Sequence, residues 1–323
     1  MRSPSLRRTV LPRLAALVLP LALGCDGAAD PVGPEAVLPS TDVAPAEAIA
    51  AGTTQRIAFT TTRKGGYDVF KMDPQGNNVA PLITSSVFEF MPAWSRDNQR
   101  LAVSRQRSNG SSLHDDIWIM NADGSQGHWA RSTPAAHDLM FPSWSPDGKR
   151  LVLTVSISDV HYAGWINLAT GELGVYSTGF GGRQGDHASY TPGGQVLYLG
   201  PAGTTIIRMN ADGTNARTLI SSPTLLRDPA MSRDGKRVAY AKAGSISFDL
   251  YVKTLADGSV KRLTTWDAHF EGQPAWSPDG SRIAFTSNHT GAASQIWTIA
   301  ATGGTPVQIT HTATTERDPA WTF

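Results

Sequence analysis

From residue 56 onward, short apolar runs alternate with polar turns, and one version of that pattern keeps returning. In Pro274-Ala-Trp-Ser-Pro-Asp-Gly-Ser-Arg-Ile-Ala-Phe285, a short strand meets a tight turn and leads into a second, apolar strand. Pro278 presets the backbone for the second turn position, and Gly280 supplies the left-handed conformation that closes such a hairpin. Copies begin at Pro92, Pro142 and Pro229, and a weaker one runs from Ala188 to Tyr198. Asn98 once replaces the turn glycine, and asparagine is the next residue most tolerant of left-handed backbone.

The aromatic or Met anchors of the first strands are Trp94, Trp144, Tyr190, Met231, Trp276 and Trp321, spaced 50, 46, 41, 45 and 45 residues apart. A period in the forties built from short strands predicts the blades of a propeller. A second strand recurs at 57–59, 101–103, 151–153, 196–198, 238–240 and 283–285. A third strand follows each, and turns such as Asn121-Ala-Asp-Gly124 separate it from a short fourth. The expected fold is all-β: a six-bladed β-propeller of four-stranded antiparallel blades. The repeat is also out of phase with the sequence. It enters at a second strand and stops at a first strand, so residues 319–323 are expected to complete the first blade and close the ring.

Two regularities orient the blades. Pro92, Pro142, Pro229, Pro274 and Pro319 each stand two residues before an anchor. Proline cannot donate to a ladder, so the first strand needs a free edge, which a propeller provides along its central channel. The residue before each anchor is small, as crowding near an axis demands. The anchors themselves are expected to pack between blades.

Composition agrees with a turn-rich β protein: 323 residues, 40% hydrophobic, with 31 Gly and 21 Pro. The single cysteine, Cys25, excludes an intrachain disulfide. It follows four arginines and an apolar run over residues 14–23, and Leu21-Ala-Leu-Gly-Cys25 is similar to a bacterial lipoprotein signal. The expected organisation is a signal peptide at 1–24, a flexible tether at 25–52 behind a lipidated Cys25, and the propeller at 53–323. Removing the leader's four arginines takes the formal charge from +1 to −3. That balance offers no basic stripe for nucleic acid.

The two short turns of each blade fall on one face and the variable connections on the other. Binding residues concentrate on such variable loops. The candidate binding set at the channel mouth is His137, Arg183, His187, Arg227, His269, Glu271, Gln273 and Arg317, with Glu89, Asp186 and Glu316 in the same ring. Asp228 and Asp318, both in Arg-Asp-Pro-Ala, are expected to act as turn-stabilising acceptors. No Gly-x-Ser-x-Gly elbow and no His-Glu-x-x-His motif occurs. No catalytic residue, metal or cofactor is therefore assigned.

The Pro-Ala-Trp-Ser-Pro-Asp-Gly signature, with its following Ile-Ala-Phe and Ile-Trp-Thr-Ile strands, resembles the WD40-like propeller repeat of the TolB type. The resemblance covers residues 56–323. TolB carries a separate α/β domain before its propeller, and here the resemblance is to the propeller alone. Together with the lipoprotein-like leader, the expectation is a monomeric, non-catalytic lipoprotein of the bacterial cell envelope, facing the periplasm or the outer surface. Lipid would be its only membrane contact, and its variable face would hold a protein or peptide. The alternative is a carbohydrate-binding or metal-assisted polysaccharide lyase-like propeller using His137, His187 and His269.

Overall fold

The computed structural model describes residues 55–323, except for 109, 111, 133–136, 159, 177–186 and 267. The expected signal peptide, Cys25 and the whole of the tether lie outside the described residues, as do Arg183 and Asp186.

The described strands form six four-stranded antiparallel sheets, each a blade of a propeller. Local chemistry explains why each first hairpin forms. Ser277 Oγ donates to Asp279 Oδ1 at 2.6 Å, and Arg282 N donates back to Ser277 Oγ at 2.9 Å. The same knot recurs at Ser95, Ser145 and Ser232. Gly280 sits at φ 65° and Asn98 at φ 57°, as the turn requires.

The first blade is assembled from both ends of the propeller. Strand Glu316–Trp321 pairs antiparallel with Ile57–Thr61, matching Trp321 to Ile57 and Ala320 to Ala58. The hairpin knot is rebuilt there without a turn, because Arg56 N donates to Thr322 Oγ1 at 3.0 Å. Asn98 of the second blade clasps the backbone of Phe323, donating to its carbonyl at 2.6 Å and accepting from its N–H at 2.5 Å.

The core lies between the blades. Ile57, Phe59 and Met72 of the first blade, for example, pack against Ala284 and Ile296 of the sixth. The anchors lock this arrangement in place. Trp144 Nε1 donates to Ala93 O at 3.0 Å, Trp276 to Ala230 O at 3.0 Å and Trp94 to Ala320 O at 3.1 Å. Each of these indoles reaches the blade before its own. That blade in turn covers the indole of Trp144 or Trp276 with an arginine: Arg100 lies 4.4 Å from the Trp144 ring and Arg237 4.7 Å from the Trp276 ring. Inter-blade packing is thus the role of the anchors Trp94, Trp144 and Trp276.

Candidate functional site: the channel mouth

The innermost strands are Glu89–Trp94, Asp138–Trp144, Ser189–Tyr190, Leu226–Met231, Glu271–Trp276 and Glu316–Trp321. In all but the fourth blade, pairing to the second strand breaks at the proline and the residue before it. Proline has no N–H to give, so the ladder yields at this point. The residue before it adopts a left-handed backbone: Met91 (φ 55°), Phe141 (54°), Asp228 (51°), Gln273 (54°) and Asp318 (53°). His187 takes the same conformation (53°) in the fourth blade, where Ala188 replaces proline.

Such a backbone costs a non-glycine residue roughly 1–2 kcal/mol. Here it occurs at the same place in all six blades, and the fold compensates. Hydroxyls of the preceding blade hold three of these residues by their N–H groups: Thr60 holds Met91, Thr154 holds His187 and Thr286 holds Asp318. All six line one cavity of about 260 Å³. They are an apolar pair, an imidazole, two carboxylates and an amide, presented as a ring around the axis.

Polar contacts tie the ring together from blade to blade. His187 Nε2 lies 2.7 Å from Asp228 Oδ1, and the His187 ring packs on Phe141 with centroids 3.9 Å apart. Asp228 Oδ2 accepts from the Gln273 N–H at 2.8 Å. The Gln273 side-chain amide donates in turn to Asp318 Oδ1. Asp318 Oδ2 accepts from Thr60 Oγ1 at 2.9 Å and from Arg317 Nε at 3.1 Å.

These contacts separate the two aspartates electrostatically. Burial pushes the Asp228 pKa up, but the charge and hydrogen bond of His187 outweigh it, helped by the Gln273 N–H and Arg227, so it ends below the ordinary value. At Asp318 burial wins over Arg317 and Thr60, and the pKa is raised.

The structure places the predicted residues unevenly. His187 and Gln273 are ring members. Arg317 flanks the ring through Asp318, and its guanidinium lies 5.1 Å from the Tyr67 ring. Arg227 is exposed beside Asp228 and rests over Phe248 at 5.0 Å. His137 is half-buried just before its innermost strand. His269 belongs to a different group, edge-on to His289, whose own ring stacks on Trp266 at 3.9 Å.

Glu271 corrects an expectation, because its side chain does not reach the mouth. It is fully buried, accepts from Ser287 Oγ at 3.1 Å, and burial pushes its pKa up to about 8. In an unbroken strand Glu271 and Gln273 would share a face. The left-handed turn at Gln273 breaks that alternation and leaves Glu271 inside. Glu89 and Glu316 are buried in the same way, but each meets an arginine: Arg105 Nε at 3.1 Å and Arg63 Nε at 2.9 Å.

Asp228 and Asp318 also differ from expectation. They are acceptors, but not for turns: Asp228 serves the two neighbouring blades, and Asp318 serves Gln273 of the sixth blade together with Thr60 and Arg317 of its own. Met91 and Phe141 carried no signal of their own chemistry. Their signal was positional: the residue before the proline varies while everything around it repeats.

The propeller fold has counterparts among known proteins. Residues 196–323 match the family model of the TolB beta propeller domain. The fold is a TolB-type β-propeller. The crystal structure of TolB from Acinetobacter baumannii superposes with a TM-score of 0.70 at 20% identity, over 82% of this chain and 66% of that one. The chain thus spans just under two thirds of that protein's length. A putative TolB from Agrobacterium tumefaciens gives a TM-score of 0.59 at 14% identity, covering 80% of this chain and 88% of the other. An oligogalacturonate lyase in complex with manganese gives 0.52 at 15% identity, covering 78% and 72%. At these identities the likeness to each is one of fold. No curated protein matches the chain in sequence.

Proposed function

We propose that this TolB-type propeller is a non-catalytic binding scaffold of the bacterial cell envelope, holding a protein or peptide on its variable face at the channel mouth. The observation that carries the reading is the ring of Met91, Phe141, His187, Asp228, Gln273 and Asp318. One backbone device, repeated six times, presents a different side chain from each blade to one cavity. That suits recognition of an irregular, mixed polar and apolar surface. The ring's carboxylates are already engaged, Asp228 by His187 and Asp318 by Arg317 and Thr60. Anchoring through a lipid on Cys25, by way of the tether at 25–52, belongs to the same proposal.

The test pairs the wild-type propeller with a Met91→Ala, Phe141→Ala variant, both checked by melting, in affinity capture from bacterial envelope extract. A defined protein retained by the wild type and weakened at least tenfold by the variant is the expected result. Equal capture by both would move the site off the mouth. Membrane fractionation of Cys25→Ser should release the chain if the lipid holds it.

The metal-assisted lyase alternative needs several donors together. Among the described residues, His187 is engaged with Asp228 and Phe141 while His269 sits beside His289, and no cluster of three metal-ligating side chains forms.

A further inference from the structure

The opposite end of the channel carries different chemistry. The second position of the first hairpin turn is Arg96, Pro146, Pro192, Arg233 and Pro278 in the second to sixth blades, and Phe323 holds the equivalent place in the first. Arg96, Pro192, Arg233 and Phe323 all line the channel cavity. Proline is the favoured residue at this turn position, and three blades keep it. The second and fifth blades carry arginine instead, and in a ring of six these two stand opposite one another.

The turn itself does not call for arginine. The serine-to-aspartate bond is 2.5 Å at Ser95 and Ser232 and 2.6 Å at Ser145 and Ser277, so it closes equally well with either residue. What arginine adds is a pair of guanidinium groups converging across the channel. Their Cζ atoms lie 5.0 Å (Arg96) and 3.9 Å (Arg233) from the centroid of the same Phe323 ring. Arg96 donates to Thr191 O at 2.9 Å and Arg233 to Thr322 O at 2.8 Å. Both side chains remain only half-buried, so solvent reaches them. A guanidinium has five N–H donors in a planar fork that fits an oxyanion.

The two positive charges repel. Burial, and then the charge of Arg96, push the Arg233 pKa down to about 9. A bound anion relieves that repulsion. We propose that Arg96 and Arg233 form an oxyanion-binding site at the short-turn end of the channel, taking a carboxylate or phosphate group between two opposed blades. The Phe323 ring forms its apolar floor. The site is independent of the partner reading, because it uses none of the mouth residues.

The test is thermal melting of the full chain titrated with inorganic phosphate or with succinate, against sodium chloride at equal ionic strength. A saturable rise in melting temperature in the millimolar range is expected with at least one oxyanion and not with chloride. Whichever gives the tighter response identifies the preferred group. Arg233→Met and Arg96→Met should each weaken the response at least tenfold. Arg150→Met, which alters an arginine lying over Trp165 elsewhere, should leave it unchanged. If Arg233→Met does not fold, phosphorus NMR line broadening on Arg96→Met and Arg233→Lys gives the same comparison. Absence of a saturable response to either oxyanion, or an equal response in the variants, overturns the proposal.

Discussion

His187 Nε2 and Asp228 Oδ1 meet at 2.7 Å and join the fourth blade to the fifth across the channel mouth. The fourth blade has the shortest innermost strand apart from this contact, only Ser189–Tyr190. Removing one partner of this largely buried contact leaves the other unsatisfied and costs about 1–3 kcal/mol. Asp228→Asn should therefore lower the melting temperature by several degrees. The double-mutant cycle with His187→Ala should show a coupling of roughly 1–3 kcal/mol.

The same pair sets an acid limit. The Asp228 pKa is depressed on folding, so its contribution is fully present above the unfolded value of about 3.9. It is lost as pH falls through the lower folded value. Wild type should lose stability below about pH 4 more steeply than Asp228→Asn, as pH-resolved melting would show.

Glu271 behaves in the opposite sense. Its folded pKa of about 8 stands above the unfolded carboxylate value, so the folded state holds the extra proton between the two. Stability therefore falls as pH rises from about 4.5 towards 8. Glu271→Gln should raise stability by roughly 1–3 kcal/mol at pH 9, and the gain should vanish by pH 5. The equivalent change at Glu316 should destabilise, since it leaves Arg63 without its carboxylate.

The tryptophan latches predict a graded series. Trp144→Phe and Trp276→Phe keep most of the packing but leave the Ala93 and Ala230 carbonyls without their indole donors. Each should cost about 1–2 kcal/mol in denaturant melts. Trp321→Phe should cost less, because Trp321 Nε1 is buried without a hydrogen-bond partner among the described residues.

Deletion of residues 319–323 removes Trp321 and the pairing of the closing strand to Ile57 and Ala58. A cooperative melt should disappear in that variant.

The fold was legible because its determinants are local and repeated. Ser277, Asp279, Gly280 and Arg282 make one knot within six residues, and four blades spell it almost identically. Ring closure was legible from phase alone. The mouth was harder to read, because its contacts run between blades: Gln273 lies 45 residues from both Asp228 and Asp318. Arg-Asp-Pro-Ala looked like part of the repeat, which concealed that its aspartate points into the channel. Glu271 was misplaced because strand alternation holds only until the left-handed residue at 273. The stacking of His289 on Trp266 was not legible, because no repeat position brings the two together.

Ring closure also fixes an order of events in the life of the chain. Ile57 is among the first residues of the propeller to be made, and its partner Trp321 is among the last. A growing chain can finish blades two to six, yet the first blade keeps an unpaired edge until Trp321 has been made. Such an edge invites wrong pairing and recognition by chaperones or proteases. Any product cut short before Trp321 would keep that edge exposed, and the propeller would thereby mark its own incomplete copies for removal.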